Sequence, residues 1–206
     1  RIRKDYSNGN ARRYAHPKSH GCVTAKFTVL DQIPNQLKKG IFSSAQSFPA
    51  LIRFSNGSPN PNKPDIKNDA RGMAIKLMNV PGTKLLEDEA NASTQDFIFI
   101  NHPVFFANEP KSYLSLMKGI NGNIFQKVMI PFALGFKGSK IIFQTARSKI
   151  ANPLHTRYWS MVPYQLGTDA SRTAVKYSVR PCSSGQGVIP KNPDDNYLRG
   201  ALKNTL

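Results

Sequence analysis

The side chains most capable of chemistry in this sequence lie in three short strings. Residues 13–18 read RYAHPK, residues 53–56 read RFSN, and residues 101–106 read NHPVFF. These strings supply an imidazole that can exchange a proton near neutral pH and guanidinium groups whose forked geometry matches a carboxylate. They also supply a hydroxyl and an amide that can hold a neighbouring group by hydrogen bonds. These residue types predict proton transfer beside an anionic ligand.

Arg53 and Ser55 fall on one face of a predicted strand at residues 50–55. Side chains alternate along a strand, so these two share a face with Leu51, and the apolar residues between them share the other. If the first face is the interior of a barrel, the Arg53 guanidinium needs an anionic partner, because an unpaired buried charge is very costly. If that face is solvated, Arg53 is an ordinary surface residue. The strand alone leaves both interpretations open.

His16 and His20 are four residues apart, a spacing that pairs metal ligands on a helix. Each histidine is followed directly by proline or glycine, which disfavours the continuous helix that such a site needs. Taken singly, His16 is as well explained by a solvent-exposed position. Cys22 and Cys182 are too few for a disulfide framework or a cysteine zinc site, and their pairing stays open. We predict no metal site built from protein side chains alone.

The 206 residues carry a formal net charge of +17, with 29 Lys and Arg against 12 Asp and Glu. The basic residues are scattered singly or in pairs and no nucleic-acid motif accompanies them, so we predict no nucleic-acid partner. The longest apolar run, residues 128–136, is broken by proline and glycine, so no transmembrane segment is predicted. No secretory signal is visible, and because the chain begins without methionine we interpret its start as a trimmed terminus.

Hydrophobic alternation predicts four consecutive strands at residues 23–29, 50–55, 71–80 and 96–101, with irregular loops at 56–68 and 81–93. A helix is predicted to begin at residues 109–110, followed by helical or mixed segments at 124–129 and 134–151 and a last strand at 173–180. Strands with long connections, then helices, then strands predict an α+β fold, an antiparallel β-barrel with appended helices. We treat residues 1–206 as a single domain.

On these strings the chain resembles the N-terminal half of the haem catalases, and more closely their small catalase-like relatives, the catalase-related peroxidases. Residues 13–18 are similar to the family's Arg-x-x-His-x-Lys, and residues 53–55 to its Arg-Phe-Ser. Residues 69–76 (DARGMAIK) resemble its Asp-x-Arg-Gly-Phe-Ala-Val-Lys strand, and residues 100–106 its Asn-Asn-x-Pro-x-Phe-Phe. The order and spacing agree over residues 13–113, and the resemblance implies a catalase-like barrel.

The resemblance implies three catalytic residues. His16 corresponds to the distal histidine, and Ser55 to the hydroxyl that holds its ring. Asn101 is expected to supply the distal amide, although the family's distal asparagine aligns without a gap to Ile100. The residues implied to bind haem b and its iron are Arg13 and Arg53 on the propionates, with Phe105, Phe106 and Tyr113 near the macrocycle.

The function implied is that of a haem-dependent oxidoreductase of the catalase or peroxidase type that cleaves peroxides. His16, as neutral imidazole, would accept a proton from the peroxide and return it to the distal oxygen. The expected substrate is hydrogen peroxide or an organic hydroperoxide, with a small organic reductant and a homo-oligomer left open. The alternatives are a fatty-acid hydroperoxide-converting haem enzyme of the allene oxide synthase type and a barrel that binds haem or lipid without turnover.

The family's iron ligand is a tyrosinate one helical turn after an arginine, which favours the charged phenolate. No Arg-x-x-x-Tyr string occurs in this sequence. We therefore expect the chain to be the N-terminal part of a longer protein that carries the axial ligand elsewhere. We expect no iron ligation by Tyr158, Tyr164 or Tyr177.

Overall fold

A computed structural model describes residues 9, 11–107, 109–183, 185 and 187–206. Its first half consists of four long strands, and its second half of helices and short strands. The strands are β1 (Ser19–Val29), β2 (Gln46–Asn56), β3 (Arg71–Met78), β4 (Thr94–Ile100), β5 (Tyr158–Ser160), β6 (Tyr164–Leu166), β7 (Thr173–Val175) and β8 (Ser178–Val179). The α-helices are α1 (Pro110–Asn121), α2 (Ile124–Val128), α3 (Ile130–Ala146) and α4 (Tyr197–Thr205). Short 3-10 turns lie at Asn35–Leu37, Gly40–Phe42, Glu87–Glu89, Pro153–His155 and Asp169–Ser171.

The strands β1, β2, β3, β4, β5 and β8 form one antiparallel sheet in that order, and β6 pairs with β7 in a separate hairpin. The sheet curls around an apolar core as half a barrel, with α1–α3 packed on its outer side. This architecture confirms the predicted antiparallel barrel with appended helices. Among the described residues, no helix combines the length and apolarity needed to cross a bilayer.

The inner face of the curled sheet holds the core. Alternate residues of β2, β3 and β4 point inward and are almost fully buried, and aromatic rings from β1, β4 and the β7–β8 connection stack among them. The inward residues of the three central strands are Phe48, Ala50, Phe54, Met73, Ile75, Leu77, Phe97 and Phe99. Burial of such side chains contributes about 1.5–3 kcal/mol each. This face is apolar over the middle of the central strands and becomes polar at their ends, where Asn56 lies opposite Arg71.

Arg53 therefore does not face the barrel interior, which corrects one interpretation of its strand. It lies between Ile52 and Phe54, both of which pack in or against the core, so its side chain leaves the outer face of the sheet. The alternation of β2 was predicted correctly, but the enclosed face is the apolar one. Arg53 is half-buried on the outer side by the segment that carries His16.

Several elements differ from the sequence prediction at their ends. The predicted strand 173–180 is two short strands in different sheets, because β7 pairs with β6 while β8 pairs with β5. The helix predicted at 134–151 begins at Ile130 and ends at Ala146, and Gly135 interrupts it with φ 66°. That value lies in the left-handed region, which glycine adopts without steric cost. Helix α4 was not predicted, although Leu198 and Leu202, four residues apart, form its buried face.

The loop 56–68 and helix α4 are held to the sheet by a buried group of polar residues. Asp65, fully buried, pairs with Lys18 at 2.9 Å between carboxylate and ammonium. The Asn56 amide donates to the same carboxylate at 2.9 Å, and the backbone N–H of Leu198 donates to its other oxygen at 3.2 Å. One carboxylate thus joins β1, the end of β2 and the start of α4.

His20 and Arg71 complete this group. His20 Nε2 donates a hydrogen bond to the Asn56 side-chain oxygen at 2.9 Å, and its other ring nitrogen lies 3.7 Å from the Asp65 carboxylate. Arg71 donates to the Asp65 carbonyl oxygen at 2.7 Å and to the Asn56 side chain. Burial lowers the pKa of His20 to about 4 against the opposing effect of Asp65. We call Lys18, His20, Asn56, Asp65 and Arg71 the Asp65 cluster.

Candidate active site

The floor of the candidate site is a row of three residues on the outer face of the sheet. Ser55 of β2 lies opposite Gly72 of β3, and Gly72 lies opposite Ile100 of β4. The row therefore presents a hydroxyl, an uncovered stretch of backbone and a branched alkyl group side by side. Ser55, Gly72 and Ile100 are all buried, although they face away from the barrel core.

The His16 imidazole lies across this row. Its Nδ1 is 2.9 Å from the Ser55 Oγ, the hydrogen bond that the resemblance implied. A Cβ placed on Gly72 would meet Nδ1 and Cε1 of the ring at 2.6 Å. Only a residue without a side chain leaves room for the ring at this height above β3. Gly72 was not singled out from the sequence, although its position within the matching string 69–76 was the available signal.

The backbone of His16 is held in a conformation that non-glycine residues rarely adopt. Its φ is 57°, and such left-handed residues cost of order 1–3 kcal/mol unless their surroundings impose them. The Arg53 guanidinium donates from Nη2 to the His16 carbonyl oxygen at 2.7 Å. That bond holds the His16 backbone, and the hydrogen bond between Ser55 and Nδ1 holds its ring.

The environment of His16 keeps its imidazole neutral. Burial, followed by the nearby positive charges of Arg53 and Arg13, lowers the pKa of His16 to about 4. Since Nδ1 contacts the Ser55 hydroxyl, and Nε2 has no hydrogen bond to another described residue, Nε2 is available to a ligand. A neutral ring with its proton on Nδ1 presents a lone pair at Nε2.

Arg13 and Arg53 lie near each other beside His16. Burial and then the charge of Arg13 lower the pKa of Arg53. Neither arginine forms an ion pair with a carboxylate of the described residues, and neither lines the cavity beside His16. Their implied contacts with haem propionates stay predictions. The pair is a local excess of positive charge on the outer face of the sheet.

A cavity of about 360 Å³ opens beside His16, between the sheet and helices α1 and α3. Its wall is mostly apolar and includes Phe105, Phe106 and Tyr113, whose ring centroids lie 4.3 to 6.3 Å apart. Because β4 ends at Ile100 and the following residues turn, both rings reach the cavity.

Asn101 is not among the residues that line the cavity. Its side-chain oxygen accepts from the Arg71 backbone N–H at 2.7 Å, and its amide nitrogen donates to the Ser148 hydroxyl at 2.7 Å. The amide therefore connects β3 to the end of α3, and its geometry does not support the expected distal role. Ile100, the ungapped counterpart, lines the cavity in its place.

A charged pair on the cavity wall was missed by the sequence analysis. The Lys63 ammonium lies 3.5 Å from the Asp69 carboxylate, and both residues line the cavity. Burial raises the pKa of Asp69 against the effect of Lys63. The pair is the charged part of a wall that is otherwise apolar or uncharged around His16.

The three tyrosines considered as iron ligands lie away from the cavity. Tyr158 is buried in the barrel core, where its hydroxyl donates to the Pro153 carbonyl at 3.0 Å and burial raises its pKa. Tyr164 and Tyr177 contact each other with ring centroids 5.4 Å apart at the other end of the core. Among the described residues, no group of three or more His, Cys, Asp or Glu is placed to hold a metal ion.

Replacing Gly72 with alanine is expected to displace His16. The new methyl group would overlap the ring and lie 3.0 Å from the Ser55 Oγ. Such overpacking typically costs about 1–3 kcal/mol of unfolding free energy. We also expect the rate of any proton transfer by His16 to fall at least about tenfold, because a small misplacement of a catalytic group is costly.

The matched control is Gly200→Ala in α4, where an added Cβ meets nothing within 4 Å. Alanine is favoured over glycine in a helix, so this variant should be neutral or up to about 1 kcal/mol more stable. Denaturant unfolding and the NMR shifts of the His16 ring measure both effects. Equal responses of the two variants would show that Gly72 does not determine the position of His16.

The chain is similar to known proteins in both sequence and fold. The sequence profile of the Catalase family matches residues 10–128. The catalase of Staphylococcus epidermidis is 29% identical over 109 residues, which are 52% of this chain and 19% of that protein.

Solved catalases share the fold. A fungal catalase superposes with a TM-score of 0.61 at 18% identity, covering 86% of this chain and 35% of the fungal chain. A bacterial catalase gives a TM-score of 0.58 at 16% identity, covering 85% of this chain and 33% of the bacterial one. The chain thus spans about a fifth of the staphylococcal protein and about a third of the solved catalases. Because the family profile matches more than half of its length and the catalase-like fold is confirmed, the chain belongs to the catalase family.

Proposed function

We propose that the chain forms the distal half of a haem-dependent oxidoreductase that cleaves peroxides. The observation that carries the proposal is a neutral His16 ring, hydrogen-bonded by Ser55 at 2.9 Å and beside an apolar cavity. A general acid–base catalyst needs a ring nitrogen free to accept a proton, in a site that excludes most water. His16 meets both needs through Nε2.

The residues of the distal side fit haem b. Arg13 and Arg53 form a positive pair that lacks a carboxylate partner among the described residues, and Arg53 is half-buried. Propionates would supply the missing negative charges, since arginine matches a carboxylate in a fork. Phe105, Phe106 and Tyr113 offer stacked rings at the edge of the same region.

Bound haem supplies the iron at which the O–O bond of a peroxide is cleaved. The residues of this chain move the proton. Nε2 of His16 would accept the proton from the terminal oxygen of the hydroperoxide. It would then return that proton to the other oxygen, so that water or an alcohol leaves. Ser55, as a positioning residue, keeps the His16 proton on Nδ1 and the lone pair on Nε2.

The axial ligand is proposed to lie in sequence outside these 206 residues. The tyrosines of the barrel core are buried away from the cavity, and burial raises the pKa of Tyr158, which disfavours a phenolate. The proposal therefore concerns a longer protein, of which this chain is the N-terminal part.

One observation favours an organic hydroperoxide over hydrogen peroxide. Ile100 lines the cavity where the family's distal asparagine aligns, and it brings an alkyl group in place of a hydrogen-bonding amide. An apolar side chain at this position stabilises an alkyl substituent by removing its surface from water, and unlike an amide it offers a departing water molecule no hydrogen bond. This favours the alternative in which an alkyl or fatty-acid hydroperoxide is converted.

A haemin titration of the full-length protein, followed by visible absorption, tests the proposal and the role of Arg53. We expect the wild-type protein to bind haem and Arg53→Gln to bind it about 10- to 100-fold more weakly, because each charged hydrogen bond contributes about 1.5–3 kcal/mol. Arg172→Gln, an exposed arginine outside the site, is the matched control. A wild-type protein that produces no haem absorption band would refute the proposal.

Turnover then separates the two substrate classes. Oxygen release from hydrogen peroxide is compared with consumption of an alkyl hydroperoxide in the same preparation. The Ile100 observation predicts the higher kcat/KM for the alkyl hydroperoxide, and Ile100→Asn should shift the ratio toward hydrogen peroxide. If Ile100→Asn leaves the ratio of the two kcat/KM values unchanged, Ile100 does not determine which peroxide is preferred.

A further inference from the structure

The helical layer over the cavity exposes an unusual amount of apolar surface. Helix α2 continues into the start of α3, because Met129 has helical dihedral angles and its N–H donates to the Phe125 carbonyl at 3.1 Å. Four large side chains at helical spacing i, i+3, i+4 and i+7 are exposed along this helix. They are Phe125, Val128, Met129 and Phe132, which we call the phenylalanine stripe.

The stripe faces solvent because the other side of the helix packs on α1. Ile130 fills the space over Gly119, where an added Cβ would meet it at 2.5 Å. Phe125 and Phe132 are 70% and 76% exposed. Beyond the break at Gly135, Phe136 is 89% exposed and extends the same apolar surface. Exposed apolar side chains grouped in this way mark an interaction site.

Positive charge predominates in the helices that carry and support the stripe, although the exposed Glu109, directly before α1, lines a small cavity with Lys137. Residues 110–150 contain seven Lys and Arg and no Asp or Glu, whereas the rest of the chain holds 22 basic and 12 acidic residues. Lys118 of α1 and Lys137 and Lys140 of α3 are exposed. The partner that this surface fits therefore combines negative charge with an apolar layer that can receive phenylalanine rings.

We propose that α2 and the start of α3 dock on the surface of an anionic phospholipid bilayer. Helices that lie in the membrane interface carry Phe or Leu on one face and Lys or Arg beside it, as here. Lipid phosphates and acidic headgroups attract the lysines, while the stripe enters the boundary of the acyl chains. Nucleic acid would use the charges and leave the phenylalanine stripe exposed. The proposal is independent of the peroxide reaction and of haem.

Sedimentation with vesicles tests this directly on the full protein. We expect vesicles of phosphatidylcholine with phosphatidylglycerol to bind it at least about tenfold more tightly than phosphatidylcholine alone, with the difference reduced at high salt. Phe125→Ser with Phe132→Ser should weaken binding to the anionic vesicles at least about tenfold. Lys137→Glu with Lys140→Glu should do the same.

Two matched double variants control for composition. Leu85→Ser with Leu86→Ser removes equally exposed apolar residues from the loop 81–93, and Lys191→Glu with Lys203→Glu makes the same charge change on other elements. Both should bind like the wild type. Equal weakening by test and control variants, or no preference for anionic vesicles, would overturn the proposal. If the protein binds no vesicles and the stripe variants change its oligomeric state, the stripe belongs to a protein interface instead.

Discussion

Peroxide cleavage by a His16→Ala variant of the full-length protein is expected to fall at least about 100-fold while haem remains bound. The variant removes Nε2 of His16, which lies beside the cavity and has no hydrogen bond to another described residue, and it leaves Arg13, Arg53 and the aromatic wall in place. The absorption spectrum measures haem retention, and single-turnover kinetics with an alkyl hydroperoxide measure the chemical step.

The pH profile distinguishes a proton carrier from a structural residue. The pKa of His16 is lowered to about 4, so the ring is neutral at every pH well above that value. Wild-type cleavage should therefore stay level from neutral pH down to about pH 5 and decline as the ring protonates near pH 4. His155→Gln, outside the cavity, is the matched control and should keep both rate and profile. A His16→Ala protein with wild-type turnover would exclude this mechanism.

Replacing Asp65 with alanine is expected to lower the free energy of unfolding by about 3–5 kcal/mol. The change leaves the Lys18 ammonium, the Asn56 amide and the Leu198 N–H without the carboxylate that they share. A buried charge that loses its partner carries the full cost of its removal from water. Such a loss is a large fraction of the stability of a typical domain.

Asp96→Ala is the matched control, because it removes a carboxylate paired with Lys76 at 2.8 Å on the surface. The two side chains are 52% and 44% exposed, so the pair should contribute at most about 1 kcal/mol. Urea unfolding followed by circular dichroism measures both variants. Similar losses would show that the Asp65 cluster is no more important than a surface ion pair.

The four long strands were predictable from the sequence, whereas β5 and β6 were not predicted. Alternation at residues 23–29 and in β2 and β3 depends only on the opposite directions of successive side chains along a strand. The contact between His16 and Ser55 was also predicted, through the resemblance of two strings to a known family, and the structure contains it at 2.9 Å. Their catalytic roles stay predictions.

The sequence did not reveal which face of β2 is enclosed. Alternation defines two faces, and only the curl of the whole sheet assigns Phe54 to the core and Arg53 to the outside. Similarly, Ile100 ends β4 on its outer face and lines the cavity, and the turn that follows directs Asn101 to Ser148. A change of one residue in a turn reverses the direction of a side chain, and no local pattern records it.

The sequence by itself predicted the four long strands, and matching strings predicted the contact between His16 and Ser55, because these depend on short-range periodicity and on local resemblance. Only the tertiary structure decided the position of Gly72 beneath the ring and the role of Asp65, which lies in a loop without periodicity. Its carboxylate meets Leu198, 133 residues along the chain. Contacts at that separation are set by how the sheet curls and the helices pack, and local sequence carries no signal for them.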